Sequence, residues 1–425
     1  MPYKTRITLF YSFVVLFLII GTSVLLYSFG WRLDLETLRI RKIGAIYIKA
    51  NVKNITININ GDIYPDDSGI IKSGTLINNL LPKTYTVELT KQGYLPYRKT
   101  VTVKPAMVEE ILNAQLIPES FTPEIIAPIK GETIVHAANG MRKAIIQDST
   151  SGIFYLYDHD NASSTINLNI LVANMRRGEK IKHIAFVPFN PNQFVIEDAT
   201  GLKLFDQEKR TLMPLLKSNI ISWVMNGSTI LLAETDKNHR QTLSSFDLIF
   251  KTKKSLDGLN EQLPNPTYIA ALGASPDMNA IAFIDVEGHL FLFTAKDKRL
   301  KPIASNIKKF SFSPDKKKLA YFDASGTITI LYLEEFESDI RKKAGDSELI
   351  HIPQKESLQA IDWYADSYHL FIHRQNILDI TEIDDRKPLN SYPLISGFID
   401  MRYSPDDKSV YFTKDHTLRS IRIEQ

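Results

Sequence analysis

The sequence predicts a mainly β protein: one N-terminal transmembrane helix, a small β-sandwich domain, and a C-terminal β-propeller of seven blades. Three observations carry this. Residues 7–29 contain no charged side chain. From residue 45 onward, aromatic and β-branched side chains recur in runs of period two, the pattern of half-buried strands. A strand–turn–strand unit also repeats, with Ser275-Pro276-Asp277, Ser313-Pro314-Asp315 and Ser404-Pro405-Asp406 at its turns.

The apolar stretch comes first. At 1.5 Å per residue, residues 7–29 cross a hydrocarbon core of about 30 Å as a helix. Lys4 and Arg6 precede it and Trp31 and Arg32 follow it, as at a membrane interface. A cleaved signal peptide would have a shorter apolar core and a small-residue cleavage site, so an uncleaved anchor is expected. Residues 1–6 are short and basic, which places them in the cytoplasm and the long C-terminal part outside. Arg32, Arg39, Arg41 and Lys42 on the other flank weigh against that orientation. Residues 30–44 read as a charged connector.

Residues 45–118 form the small β domain. Ala45 to Ala50 and Ile55 to Ile59 alternate with period two, and Asn60-Gly61 signals a hairpin turn. Thr86 to Leu89 and Arg98 to Val103 read as further strands. The series Asn60-Gly61, Leu81-Pro82, Tyr85-Thr86-Val87-Glu88-Leu89 and Gly93-Tyr94 resembles the PEGA domain, over about 70 residues. Lys83-Thr84 stands where that family usually has a glycine, and the literal Pro-Glu-Gly-Ala string is absent. The resemblance implies an envelope protein and brings no catalytic residue.

Leu116 to Pro123 is a proline-punctuated linker. Residues 119–425 then repeat. Equivalent points fall at His136, Phe186, Trp223, Ala274, Phe312, Trp363 and Tyr403, at intervals of about 40 to 50 residues, as four-stranded blades with longer loops would give. After Tyr403 the last blade is one strand short. A segment such as Glu124 to Ala127 is expected to complete it and remove an exposed sheet edge. The repeats resemble the TolB-like (WD-repeat-like) propeller family. Residues 275–283, 313–322 and 404–412 follow its S-P-D-G-x-x-x-A-F pattern, and residues 187–196 and 364–372 are degenerate copies. Met278, Lys316 and Asp407 stand where that pattern has glycine.

The chemistry is sparse. The Ser-Pro-Asp carboxylates read as turn formers, since every copy has one at the same place. Nine histidines are scattered: 136, 159, 183, 239, 289, 351, 369, 373 and 416. His369 and His373 have the spacing of a helical zinc pair, but on a strand they stand about 13 Å apart. Asp158-His159-Asp160-Asn161 lacks the glycine and distal glutamate of a calcium loop. Lys251-Thr252-Lys253-Lys254, Lys316-Lys317-Lys318 and Arg176 to Lys180 read as solvated tips and loops. Neither a nucleophile elbow nor a phosphate loop occurs. There is no cysteine, so disulfide and thiolate chemistry are excluded. A net charge of +3 gives no electrostatic case for nucleic acid.

No catalytic residue, metal or cofactor is therefore expected. The sequence reads as a non-enzymatic, single-span envelope protein. Its β domains would offer a binding platform to a protein or glycan partner. A propeller-based hydrolase or lyase of an envelope polymer is the alternative, and a purely architectural spacer the third.

Overall fold

The computed structural model describes all residues except 1, 2, 36, 70, 71, 139–141, 159–164, 174–179, 237–239, 266, 267, 339, 353–357, 406, 424 and 425. Strands hold 55% of the chain and helices 9%, so the protein is mainly β. Helix α1 (Tyr3–Ser28) is apolar and could cross a membrane. Phe10, Phe13, Phe17 and Ile19 are all exposed along it, so none of its faces is covered by the chain itself. Its hydroxyls suit hydrocarbon. Ser12 and Ser23 donate to the carbonyls of Thr8 and Ile19 at 2.8 and 2.7 Å, leaving neither donor unsatisfied.

The first compact unit comprises Met1–Glu119 with two segments from farther along, Glu337–Arg341 and Arg386–Asn390. After α1 the expected connector is instead a hairpin, β1 (Trp31–Asp34) with β2 (Arg39–Lys42). Four-residue strands dense in arginine give little periodic signal, which is why the sequence reads as a linker.

Seven more strands follow: β3 (Gly44–Ala50), β4 (Thr56–Ile59), β5 (Asp62–Pro65), β6 (Thr75–Leu80), β7 (Thr84–Thr90), β8 (Tyr97–Thr102) and β9 (Val108–Ala114). One sheet runs β5-β4-β7-β8, and the other β6-β3-β9 with β3 and β9 parallel. Ile46, Ile48 and Ile111 from the second sheet meet Ile57, Val87, Leu89 and Tyr97 from the first in one core. Full burial of each such side chain contributes about 1.5–3 kcal/mol. Asn60 (φ 51°) and Gly61 (φ 101°) turn the β4–β5 hairpin, as their sequence predicts.

Lys99 on β8 is fully buried, against every composition-based expectation. Its Nζ donates to the carbonyls of Arg386 (2.6 Å) and Pro388 (3.3 Å). The same segment bonds the β8 backbone: Thr100 N–H donates to Lys387 O at 2.8 Å, and Asn390 pairs with both backbone groups of Arg98. An edge strand is thus covered. Lys99→Met, which keeps the volume and removes the donors, is expected to lower unfolding stability by about 2 kcal/mol, read as a shift in urea midpoint.

The second unit comprises Ser120–Phe336, Lys342–Asp385 and Ser391–Gln425. Among the described residues it holds seven open four-stranded sheets. One strand at the margin of each is Thr133–Ala138, His183–Val187, Asn219–Asn226, Ile269–Ala274, Ile307–Phe312, Leu358–Trp363 or Met401–Ser404. All seven repeat points of the sequence lie on these strands. The expected fourth strand is present: β10 (Glu124–Pro128) pairs antiparallel with Thr417–Arg422, Glu124 opposite Ser420.

Consecutive sheets pack face to face. Phe154 and Leu156 meet Ile184 and Phe194, Val195 meets Trp223 and Leu232, Leu231 meets Ile281 and Phe283, and Leu290 meets Leu319. Trp363 Nε1 donates to Ser311 O at 3.0 Å, and the Phe371 and Tyr403 rings lie 4.8 Å apart. The last sheet then packs on the first, Ala127, Ile129 and Leu418 against Ile134, Ala144 and Tyr157.

The repeated turn explains the missing glycines. Met278 (φ 62°), Lys316 (φ 68°) and Ser367 (φ 60°) occupy the left-handed conformation the turn requires. In the last copy Lys408 (φ 53°) takes it rather than Asp407. Lys316→Gly is expected to gain about 0.5 kcal/mol, strain relief of roughly 1 kcal/mol being partly offset by a freer unfolded chain. Lys316→Val should instead lose about 1–2 kcal/mol. Thermal unfolding of the pair checks the sign.

Candidate functional site

The turn carboxylates are occupied. Asp277 accepts from Ser275 Oγ (2.7 Å) and from the backbone and side chain of Asn279. Burial pushes its carboxyl up, but these bonds and nearby Lys316 outweigh it and hold it below its ordinary range. Asp315 accepts from Ser313 Oγ (2.5 Å), Lys317 N–H (3.0 Å) and Lys318 Nζ (2.5 Å). Asp406 lies outside the described residues, as do His159, Asp160, Asn161, His239 and Arg176 to Glu179. Lys318 corrects the reading of a solvated lysine tip. It is fully buried, 4.1 Å above the Phe336 ring centroid, with Tyr368 and Trp363 beside it.

His369 and His373 share a strand but not a partner. His369 Nδ1 lies 2.6 Å from Asp366 Oδ2, and His373 Nε2 lies 2.7 Å from Gln375 O. His351 and His416 are exposed. Asp285, Glu287 and His289 gather at a hairpin turn, where Asp285 accepts from the backbone of the other two.

What the structure brings together is a different set. A cavity of about 400 Å³ is lined by Lys309, Gln359, Asp362, His373, Asp400 and Arg402, among others. Gln359, Asp362 and Arg402 stand on the marginal strands at exposed positions, Asp362 between the buried Ile361 and Trp363. Asp362 accepts from Trp363 N–H (2.9 Å) and Ser311 Oγ (3.3 Å). Its side chain reaches the water of the cavity while protein surrounds that space. Confined water solvates a carboxylate less well than bulk, so burial pushes Asp362 above the usual range although Arg402 opposes it. Asp400 Oδ2 accepts from Ile134 N–H at 2.8 Å, and Arg402 Nε donates to Ile134 O at 3.2 Å, so both also tie the last sheet to the first. Burial lowers His373, with Gln375 and Asp400 opposing.

His136 extends the cluster. Its Nδ1 lies 3.4 Å from Phe186 N and its ring 5.9 Å from that of Phe186. Burial, then Arg402 and His183, push it down to about 4. Burial also lowers His183, whose ring lies 4.6 Å from Trp223. Neutral imidazoles, a carboxyl biased toward its neutral form and a guanidinium together offer hydrogen bonds of both polarities, matched to sugar hydroxyls, amides or a carboxylate. The sequence marks His136 as a repeat point and His373 as half of a spaced pair, but not their grouping, because the cluster draws on several repeats.

The sign of the resulting pH dependence is fixed. A histidine neutral in the fold and protonated on unfolding leaves its stability intact above pH 6.5, and the stability falls as pH drops toward the folded value of about 4. His136→Gln removes this titration. The gap between parent and variant is expected to shift by about 2–3 kcal/mol between pH 7 and pH 4.5, in favour of the variant at low pH. Urea midpoints at the two pH values test it, and a constant gap would refute it.

A larger groove, about 740 Å³, lies between two neighbouring sheets over Leu292 and Leu331. Four of its rim charges pair with one another, Lys301 with Asp297 at 2.5 Å and Lys316 with Asp277 at 3.9 Å. No protein-family profile matches the chain. No curated protein matches it significantly either.

Proposed function

We propose that the protein is a single-span envelope protein whose C-terminal unit is a seven-bladed propeller that binds a protein or glycan partner at the inner-strand cavity. In this reading residues 1–6 are cytoplasmic, α1 is the anchor, and the β units are extracytoplasmic. The PEGA-like domain is a spacer, and nucleic acid is not a partner. The propeller reading is supported by the cyclic packing of seven sheets, above all by the last sheet lying on the first. The binding reading rests on one observation, the cavity that gathers Lys309, Gln359, Asp362 and Arg402 from three successive repeats.

A photo-crosslinking residue at Gln359, in the full chain in its native membrane, is the test. Gln359 is exposed, and its side chain makes no hydrogen bond among the described residues. A discrete adduct is expected there and not from Lys254 on an outer strand, and Lys309→Ala should weaken it. Equal labelling from both positions would sink the binding reading.

The enzyme alternative draws support from Asp362, Asp400 and His373 lining one cavity, an acidic and imidazole set that polymer hydrolysis or lyase chemistry can use. Release of soluble fragments from purified envelope polymer, abolished by Asp362→Asn, would favour it over the platform. No release at any pH between 5 and 8 would remove it.

A further inference from the structure

The β1–β2 hairpin is turned inside out for a hairpin in water. Its register places Leu33 opposite Ile40 and Trp31 opposite Lys42, so these four share one face. Leu33 is 54% exposed, Ile40 56% and Trp31 39%, while Leu35 and Leu38 at the tip are 76% and 77% exposed. On the other face Asp34 and Arg41 turn inward and are bonded there. Asp34 is buried, 3.5 Å from Arg41 Nε, and accepts from Thr37 Oγ1 at 2.7 Å. Arg41 also donates to Pro82 O at 3.3 Å. A solvated hairpin arranges these faces the other way.

Leu38 adds an independent sign. Its φ of 52° is a conformation that disfavours leucine and suits glycine or asparagine. A leucine held there, with most of its surface outside the fold, does no packing for this chain.

The hairpin is fixed to the end of α1. Gly30 (φ 81°) makes the turn between them, and a Cβ there would press on Ile43 at 3.3 Å. Ile43 N–H donates to Gly30 O at 2.9 Å. Arg32 Nη1 donates to Tyr27 O at 2.7 Å, and its guanidinium stacks 3.4 Å from the Tyr27 ring centroid. Four residues of strand extend about 13 Å, so the whole apolar face stays close to the helix end.

We propose that this face lies in the interfacial layer of the bilayer, with Trp31, Leu33, Leu38 and Ile40 against the acyl–headgroup boundary. The inference rests on the reading of α1 as a membrane span. Continuity with that helix selects lipid as the occupant. Lys42, exposed on the apolar face, and Arg39 at the edge supply the cations that phosphate headgroups attract. The hairpin then acts as a foot that sets how the helix end meets the membrane surface.

The chain has no cysteine, so single cysteines can carry a nitroxide without background. Labels at Leu33, Leu38 and Ile40 are compared with Leu16 in mid-helix and Ser325 on an exposed turn, in the full chain reconstituted in phosphatidylcholine–phosphatidylglycerol vesicles. Collision with oxygen, which partitions into lipid, is measured against collision with an aqueous nickel chelate. The three hairpin labels are expected to show an oxygen-to-nickel ratio at least about threefold above Ser325, and below that of Leu16. Hairpin ratios equal to Ser325, with Leu16 still lipid-like, overturn the proposal and leave the span intact. A water-like ratio at Leu16 overturns the span reading itself, and the proposal with it. Low access to both reagents with dipolar broadening at Leu38 means a second copy covers the face, which also overturns it.

Discussion

Deleting residues 120–130 is expected to lower the melting temperature of the second unit by roughly 10 °C. The deletion removes β10, and with it the strand that pairs with Thr417–Arg422. It also removes Ala127 and Ile129 from the core against Ile134, Ala144 and Tyr157. Lost burial and an opened sheet edge together are worth on the order of 4–5 kcal/mol, and a unit of this size loses about 2 °C or somewhat more per kcal/mol. Ala127→Asp tests the same contact without shortening the chain, since it places a carboxylate in a site that is 3% exposed. Calorimetry of both variants reads the effect. A transition unmoved in either would mean that the two ends of the unit do not hold each other.

The second large effect concerns the buried lysine. Asp315→Asn is expected to cost about 3 kcal/mol, and Lys318→Met clearly less. Lys318 is fully buried with its Nζ 2.5 Å from Asp315. Burial pulls the Lys318 ammonium below its usual range, and Asp315 opposes that pull. Removing the carboxylate leaves the ammonium with the faces of Phe336, Tyr368 and Trp363 and the weaker field of Asp366. Removing the ammonium instead leaves a thioether stem in an aromatic cage that suits it. Because the Asp315 side chain is 28% exposed, the cost sits at the low end for a broken buried pair. Urea unfolding of the two variants ranks them, and the reverse order would show that the pair is not what stabilises the cage.

Legibility followed the range of the interactions. The Asn60-Gly61 turn, the strands around it and the helix over residues 7–29 are set by local chemistry, and the sequence shows them. The Ser-Pro-Asp turns are equally local, and with their degenerate copies they mark the ends of five marginal strands. His136 lies on such a strand although its repeat lacks the turn signature. Glu124 to Ala127 was legible by subtraction, because the last sheet lacked a strand. What failed depended on distant partners. Lys99 and Lys318 look solvated until carbonyls and rings from far along the chain enclose them. The cavity of Lys309, Asp362 and Arg402 exists only because three chain segments converge. Residues 30–44 failed for another reason, since short strands with apolar side chains turned outward mimic a linker.

The pairing of β10 with Thr417–Arg422 has a consequence for how the chain is made. Roughly 300 residues separate these partners, a strongly non-local contact. During synthesis from the N-terminus, β10 emerges roughly 300 residues before its partner. Until the final repeat is released, the second unit has an unpaired strand at each end, both templates for wrong pairing. A ribosome stalled anywhere in the last repeat therefore holds a unit that cannot complete its final sheet, whatever the quality of the six sheets already formed.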